Sequence, residues 1–131
     1  MLNQTGVVKE SYGNIKTILV DELNSTSFSC VVSDAGVTAD TDGSKIIKAG
    51  TPIYGSLEAR DTAFTVSGGQ GATPVGLILH DVDVTGLKTG ETRNSQVLVF
   101  GFVDLKKLDT DVQAMITASV KSALRMIQFV K

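Results

Sequence analysis

The sequence predicts a mainly β fold: a compact antiparallel β domain with one short helix. Short runs rich in Val, Ile, Thr and Phe recur along its 131 residues, a composition that fits a pleated, half-buried surface. Gly, Pro, Asp and Asn punctuate those runs. Near the C-terminus a single segment carries apolar residues at the spacing of a helix face.

Residues 1–14, MLNQTGVVKESYGN, are polar and glycine-punctuated, with Val7, Val8 and Tyr12 as apolar anchors. They read as an N-terminal arm, either disordered on its own or ordered as a strand added to a partner's sheet edge. Residues 15–131 form one β-rich domain. Within it, IKTILVD (15–21) and SFSCVVSD (27–34) are two strands joined by a polar connector. The loop AGVTADTDGSK follows, then the turn AGTP and a strand beginning at Ile53. DTAFTV gives a short strand, and SGGQGAT a glycine-rich loop.

PVGLILHDVDV reads as one long strand starting after Pro74, where a missing N–H is tolerated. SQVLVFGFVDL is apolar on both faces through Val97, Leu98, Val99, Phe100 and Phe102, which places it in the middle of the core. Val112, Met115, Ile116, Ser119, Val120 and Ala123 mark a helix from about 110 to 122, with Thr110 and Gln113 as a capping box. ALRMIQFVK closes the fold as a strand.

With 42% hydrophobic and 20% charged residues the chain lies within the globular range. Twelve Lys+Arg against fourteen Asp+Glu leave a net charge of −2, with no basic run longer than Lys106-Lys107. Counterion release then has little to act on, which argues against a nucleic-acid partner. No window has the length and apolarity of a membrane span, and the opening residues lack a signal-peptide pattern. Cys30 is the single cysteine, so no disulfide forms within the chain. These features favour synthesis in a cytosol and no membrane partner.

Candidate chemistry is sparse. His80, the single histidine, is followed by Asp81 and Asp83, but strand alternation puts the two carboxylates on one face and the imidazole on the other. One His and one Cys leave the soft-ligand inventory for zinc nearly empty. DTDG (40–43) opens like a calcium loop, yet the twelfth position is Thr51 rather than a bidentate acid. SGGQGAT lacks the Lys-Ser/Thr ending of a phosphate loop. Cys30 sits in an apolar strand without a base, and Asp21, Asp81, Asp83 and Asp104 are scattered. The expectation is no enzyme, no cofactor, no metal and no catalytic residue.

In SKIIKAGTPIYGSLEAR, TPVGLILHDVDVT, VLVFGFVDLKKL and the closing ALRMIQFVK, the order of elements resembles the head decoration proteins of tailed bacteriophages, the lambda type in particular. The similarity covers residues 44–131. It implies a β-tulip-like fold with an extended N-terminal arm, and a homotrimer on the capsid exterior at three-fold and quasi-three-fold positions. There it would stabilise contacts between major capsid subunits, in a protein made in the host cytoplasm and carried by the virion. The family's arm pairs with capsid strands; by position in the chain, Val7, Val8 and Tyr12 become the capsid-binding residues. Two other classes compete: the capsid-binding base of a head fibre or other surface-assembly module, and a carrier or sugar-binding module. KIIKAGTPI fits the grammar of biotinyl-type hairpins, but the Lys on a tight turn that such a carrier requires is missing.

Overall fold

The longest element is a twelve-residue strand with a partner on each edge. The computed structural model describes residues 17–20 and 23–131. Its strands are β1 (Thr26–Val32), β2 (Ile46–Ile47), β3 (Pro52–Ile53), β4 (Gly76–Ile78), β5 (Val82–Asp83), β6 (Arg93–Asp104) and β7 (Ile127–Val130). Between β6 and β7 lie a 3-10 turn (Leu105–Lys107) and two helices, α1 (Thr110–Met115) and α2 (Ala118–Ala123). The main sheet runs β1-β6-β4-β3, β7 joins the far half of β6, and β2 pairs with β5 apart from it. The arm anchors Val7, Val8 and Tyr12 lie outside the described residues, as does Asp21.

β6 is a wall between two cores. Val97 packs on one side with Val32, Ile53, Phe64 and Val84, while its neighbour Leu98 packs on the other with Leu77, Val112, Val120 and Ile127. Successive side chains of a strand point to opposite faces, so an apolar pair in sequence can feed two clusters. β4 does the same with Leu77 and Ile78. Phe64, fully buried, ties the second cluster to β1: its N–H donates to Val31 O at 2.8 Å, and its carbonyl accepts from Ser33 N at 3.1 Å.

Several strands follow the sequence pattern. β1 overlaps the expected second strand, starting one residue earlier and ending at Val32, and Phe64 and Thr65 supply the short strand as isolated bridges to Val32 and Tyr54. Of the expected strand over 15–21, the described residues make one bridge, Leu19 to Val103. PVGLILHDVDV is two strands instead of one. After Leu79 N–H reaches Gln96 O, the chain bends. The Asp81 carboxylate then accepts from Ala49 N at 2.7 Å, and Val82 continues against Ile47. The run therefore leaves the main sheet to serve the small one.

The single helix over 110–122 is also two. Ile116 ends α1, and Thr117 starts α2, its hydroxyl accepting from Val120 N. The helical spacing held across the break because Val112, Ile116 and Val120 all enter the first core. The N-cap of α1 is Asp109, not Thr110, and Gln113 donates instead to Leu108 O. The closing strand is parallel to β6, a departure from the antiparallel expectation. The intervening helices carry the chain back to the same end of the sheet, as a parallel pair requires.

Two glycines set spacing. Gly101 has φ +148°, and a Cβ there would meet Ser25. At Gly76 a Cβ would stand 2.5 Å from Leu98 O and 2.5 Å from Val97 Cγ2. Gly76→Ala is therefore expected to lower unfolding free energy in urea by about 1–3 kcal/mol through overpacking. An unchanged urea midpoint would show that β4 and β6 have room to separate.

Candidate functional site

The residues with chemical potential are mostly occupied with holding turns. Asp81 secures Ala49 N–H. Asp83 accepts from Thr85 N at 2.9 Å, and its bonds to Thr85, side chain first and then backbone, hold its carboxyl below the usual range. Asp42 is lowered in the same way by the Ser44 hydroxyl, which donates at 2.7 Å, so DTDG closes a solvated turn. Asp104 caps the 3-10 turn through Lys106 N.

The bend at Leu79–Asp81 alters the expected strand alternation. His80 and Asp81 are both exposed and line one shallow concavity with Gln96, while Asp81 and Asp83 share another with Arg93. Among the described residues no three His, Cys, Asp or Glu side chains gather where they could hold a metal ion. Cys30 is buried, and burial pushes its thiol up despite nearby Arg60. Arg60 lies over the Phe28 ring at 5.4 Å and donates to Ser29 O at 3.0 Å, clamping part of the outer edge of β1.

A different surface stands out at the far half of β6. Phe100 and Phe102, placed in the core by their apolar run, are 39% and 41% exposed. The run is a true alternation there: Gly101 and Val103 face inward, and both phenylalanines face out. On the neighbouring strand β7 Gln128 and Val130 are exposed while Ile127 is buried, Met126 just before it is exposed too, and Phe102 is in register with Gln128. On the other edge Val20 N–H bonds Phe102 O, and the Val20 side chain is exposed. Leu23, 95% exposed, sits in the adjoining loop.

β6, β7 and the bridged segment at Leu19–Val20 thus present one apolar face. Taking ~150–250 Å² for a whole aromatic side chain, its exposed area is on the order of 500 Å², the size of the largest apolar patch on an ordinary monomer, which is often functional. The sequence carried a signal for it: Phe100-Gly101-Phe102 followed by Val103, with the small residue between the two aromatics, is a period-two pattern, masked by the apolar residues before it.

The other charged cluster joins β2 to α1. Lys48 Nζ stands 2.9 Å from Asp111 and 3.5 Å from Asp109. The bond to Asp111 raises the Lys48 ammonium and lowers the Asp111 carboxyl.

Comparison with known proteins adds no relative: no family model, no curated protein and no solved structure matches this chain.

Two outcomes are expected from these environments. Asp42, Asp83 and Asp111 have folded-state pKa values below their unfolded ones, so their contribution is present above about pH 4 and is lost as pH falls through the lowered values. Lys48 runs oppositely: its contribution fades only as pH rises beyond the ordinary lysine value, about 10.4. Urea midpoints should fall on acidification below about pH 4, and Asp111→Asn should cost under about 1 kcal/mol at neutral pH. A midpoint that climbs in acid would contradict the assignment. Cys30, in turn, should react with Ellman's reagent far more slowly in native buffer than in denaturant; equal rates would mean that the β1 edge opens readily.

Proposed function

We propose that this chain is a virion structural protein that binds the outside of a phage capsid at three-fold and quasi-three-fold positions, as a homotrimer, and stabilises contacts between major capsid subunits. The observation that carries this reading is the exposed strand face of Val20, Phe100, Phe102, Met126 and Val130. Its strand-bound neighbours Thr26 and Gln128 are uncharged, and charge enters at one end, where Asp104 is in register with Val130, so contact there would be governed mainly by buried apolar area. The similarity of residues 44–131 to lambda-type head decoration proteins supplies the class of partner.

Adhesion of this kind needs no converging catalytic groups. It needs a stiff body, an apolar face and additional reach. The sheet and its two cores supply the body, and residues 1–14, with Val7, Val8 and Tyr12, supply the proposed reach by pairing with capsid strands. Three copies linked as a trimer would turn modest contacts into durable ones through effective concentration.

Co-sedimentation with undecorated, expanded capsids tests the reading. The intact protein should pellet with capsids. Phe100→Ser/Phe102→Ser should weaken pelleting at least tenfold while retaining a cooperative melt, since both side chains are already partly hydrated. Deleting residues 1–14 should also reduce pelleting and leave the melting temperature nearly unchanged. Undiminished pelleting by both variants would place the grip elsewhere.

A further inference from the structure

On a different part of the surface, the stretch 36–40 and β2 border a groove of 340 Å³. Val37, Ile47, Val66 and Val112 give it apolar walls, and Ile46 and Met115 stand partly exposed at its margins. Asp40, Lys48 and Asp111 supply its charges. None of the strand face described above contributes to it.

The backbone along this groove has spare hydrogen-bonding capacity. Val84 N–H donates to Lys45 O at 2.9 Å, and Ile46 is in register with Asp83, Ile47 with Val82. In an antiparallel ladder, hydrogen-bonded and non-hydrogen-bonded pairs alternate. Lys45 and Ile47 therefore turn their main-chain groups towards β5, and Ile46 turns its N–H and C=O the other way. On the opposite wall Val37 N–H is taken by Asp34 O and Asp40 N–H by Ser44 O. Thr38 and Ala39, between them, make no main-chain hydrogen bond to any described residue.

We propose that this groove receives a short extended peptide segment of another protein, added as a strand to the outer edge of β2, in which apolar residues alternate with lysine or arginine. The strand form follows from the walls. An extended segment offers N–H and C=O groups to Ile46 and to Thr38–Ala39, whereas a helix has already satisfied its own. Its alternate apolar side chains would enter the valine-lined floor.

Charge selects the remaining positions. The Lys48 ammonium is already held by Asp111 at 2.9 Å and Asp109 at 3.5 Å. Among the charges that line the groove, Asp40 and Asp111 stand against Lys48 alone and leave the rim net negative. A basic side chain complements it, and an acidic one would be repelled. The inference concerns a segment received by the body of the protein, and it stands independently of capsid decoration.

The probe is a fluorescein-labelled peptide, acetyl-Ser-Val-Lys-Val-Lys-Val-Ser, titrated with the full chain and read by anisotropy. Saturable binding is expected, at least tenfold weaker when both lysines of the peptide are replaced by glutamate. Asp40→Lys should weaken binding at least fivefold. Ile46→Pro removes the outward N–H and leaves the bonds to β5 intact, so it should weaken binding at least tenfold with an unchanged circular dichroism spectrum. Should Ile46→Pro fail to fold, the exposed Asp40→Lys decides by itself. Amide exchange should slow at residues 38–39 and 46 when the peptide is added.

Lack of saturation at millimolar concentration, equal affinity for the glutamate peptide, or exchange protection confined to the outer edge of β1 would each overturn the proposal. So would self-association of the chain that Asp40→Lys abolishes in the absence of peptide binding, because the groove would then serve a second copy.

Discussion

Val97 and Leu98 are neighbours in sequence and belong to different hydrophobic cores. Most of the molecule is arranged around the double burial of β6 that this implies. A strand covered on both faces needs layers on each side. The helices α1 and α2 provide one through Val112, Ile116 and Val120; Phe64, Ile53 and Val84 provide the other. Gly76 lets β4 approach the same strand without a side chain between them. Each of these elements would lose its buried partner if β6 were displaced.

The same strand changes character along its length. Near its middle Val97 and Leu98 are buried on opposite faces, while its second half keeps one side covered and leaves Phe100 and Phe102 exposed. The residues that anchor the strand are followed directly by those that offer apolar surface. A face held this way costs little conformational entropy on binding, since its backbone is already fixed by Val20 on one edge and β7 on the other. That property would suit the proposed clamp, in which the bound protein must resist deformation as well as adhere.

Much of the β grammar was legible in the sequence. β-branched runs located β1 and β6, and the apolar spacing of Val112, Ile116 and Val120 identified the helical face correctly even across a break. What local pattern could not convey was where a continuous run changes partners. PVGLILHDVDV reads as one strand because its composition does not change, but Asp81 bonds Ala49 from a distant turn and redirects the chain. Thr110 looked like a cap because the Thr-to-Gln spacing was right; the cap is decided by the dihedrals of Asp109 and by Gln113 turning back to Leu108. The parallel pairing of β7 depended on the crossover as a whole. The outward phenylalanines were hidden because periodicity was averaged over a strand with two environments. The β2 groove left no local trace: its walls come from four separate stretches of chain.

A cryo-electron microscopy reconstruction of expanded, undecorated capsids mixed with the protein tests the central claim most directly. The account requires added density in threes at three-fold and quasi-three-fold positions, with Val20, Phe100, Phe102, Met126 and Val130 turned towards the major capsid subunits. Capsids without added density under saturating protein, or bound copies whose phenylalanine face points into solvent, would contradict it.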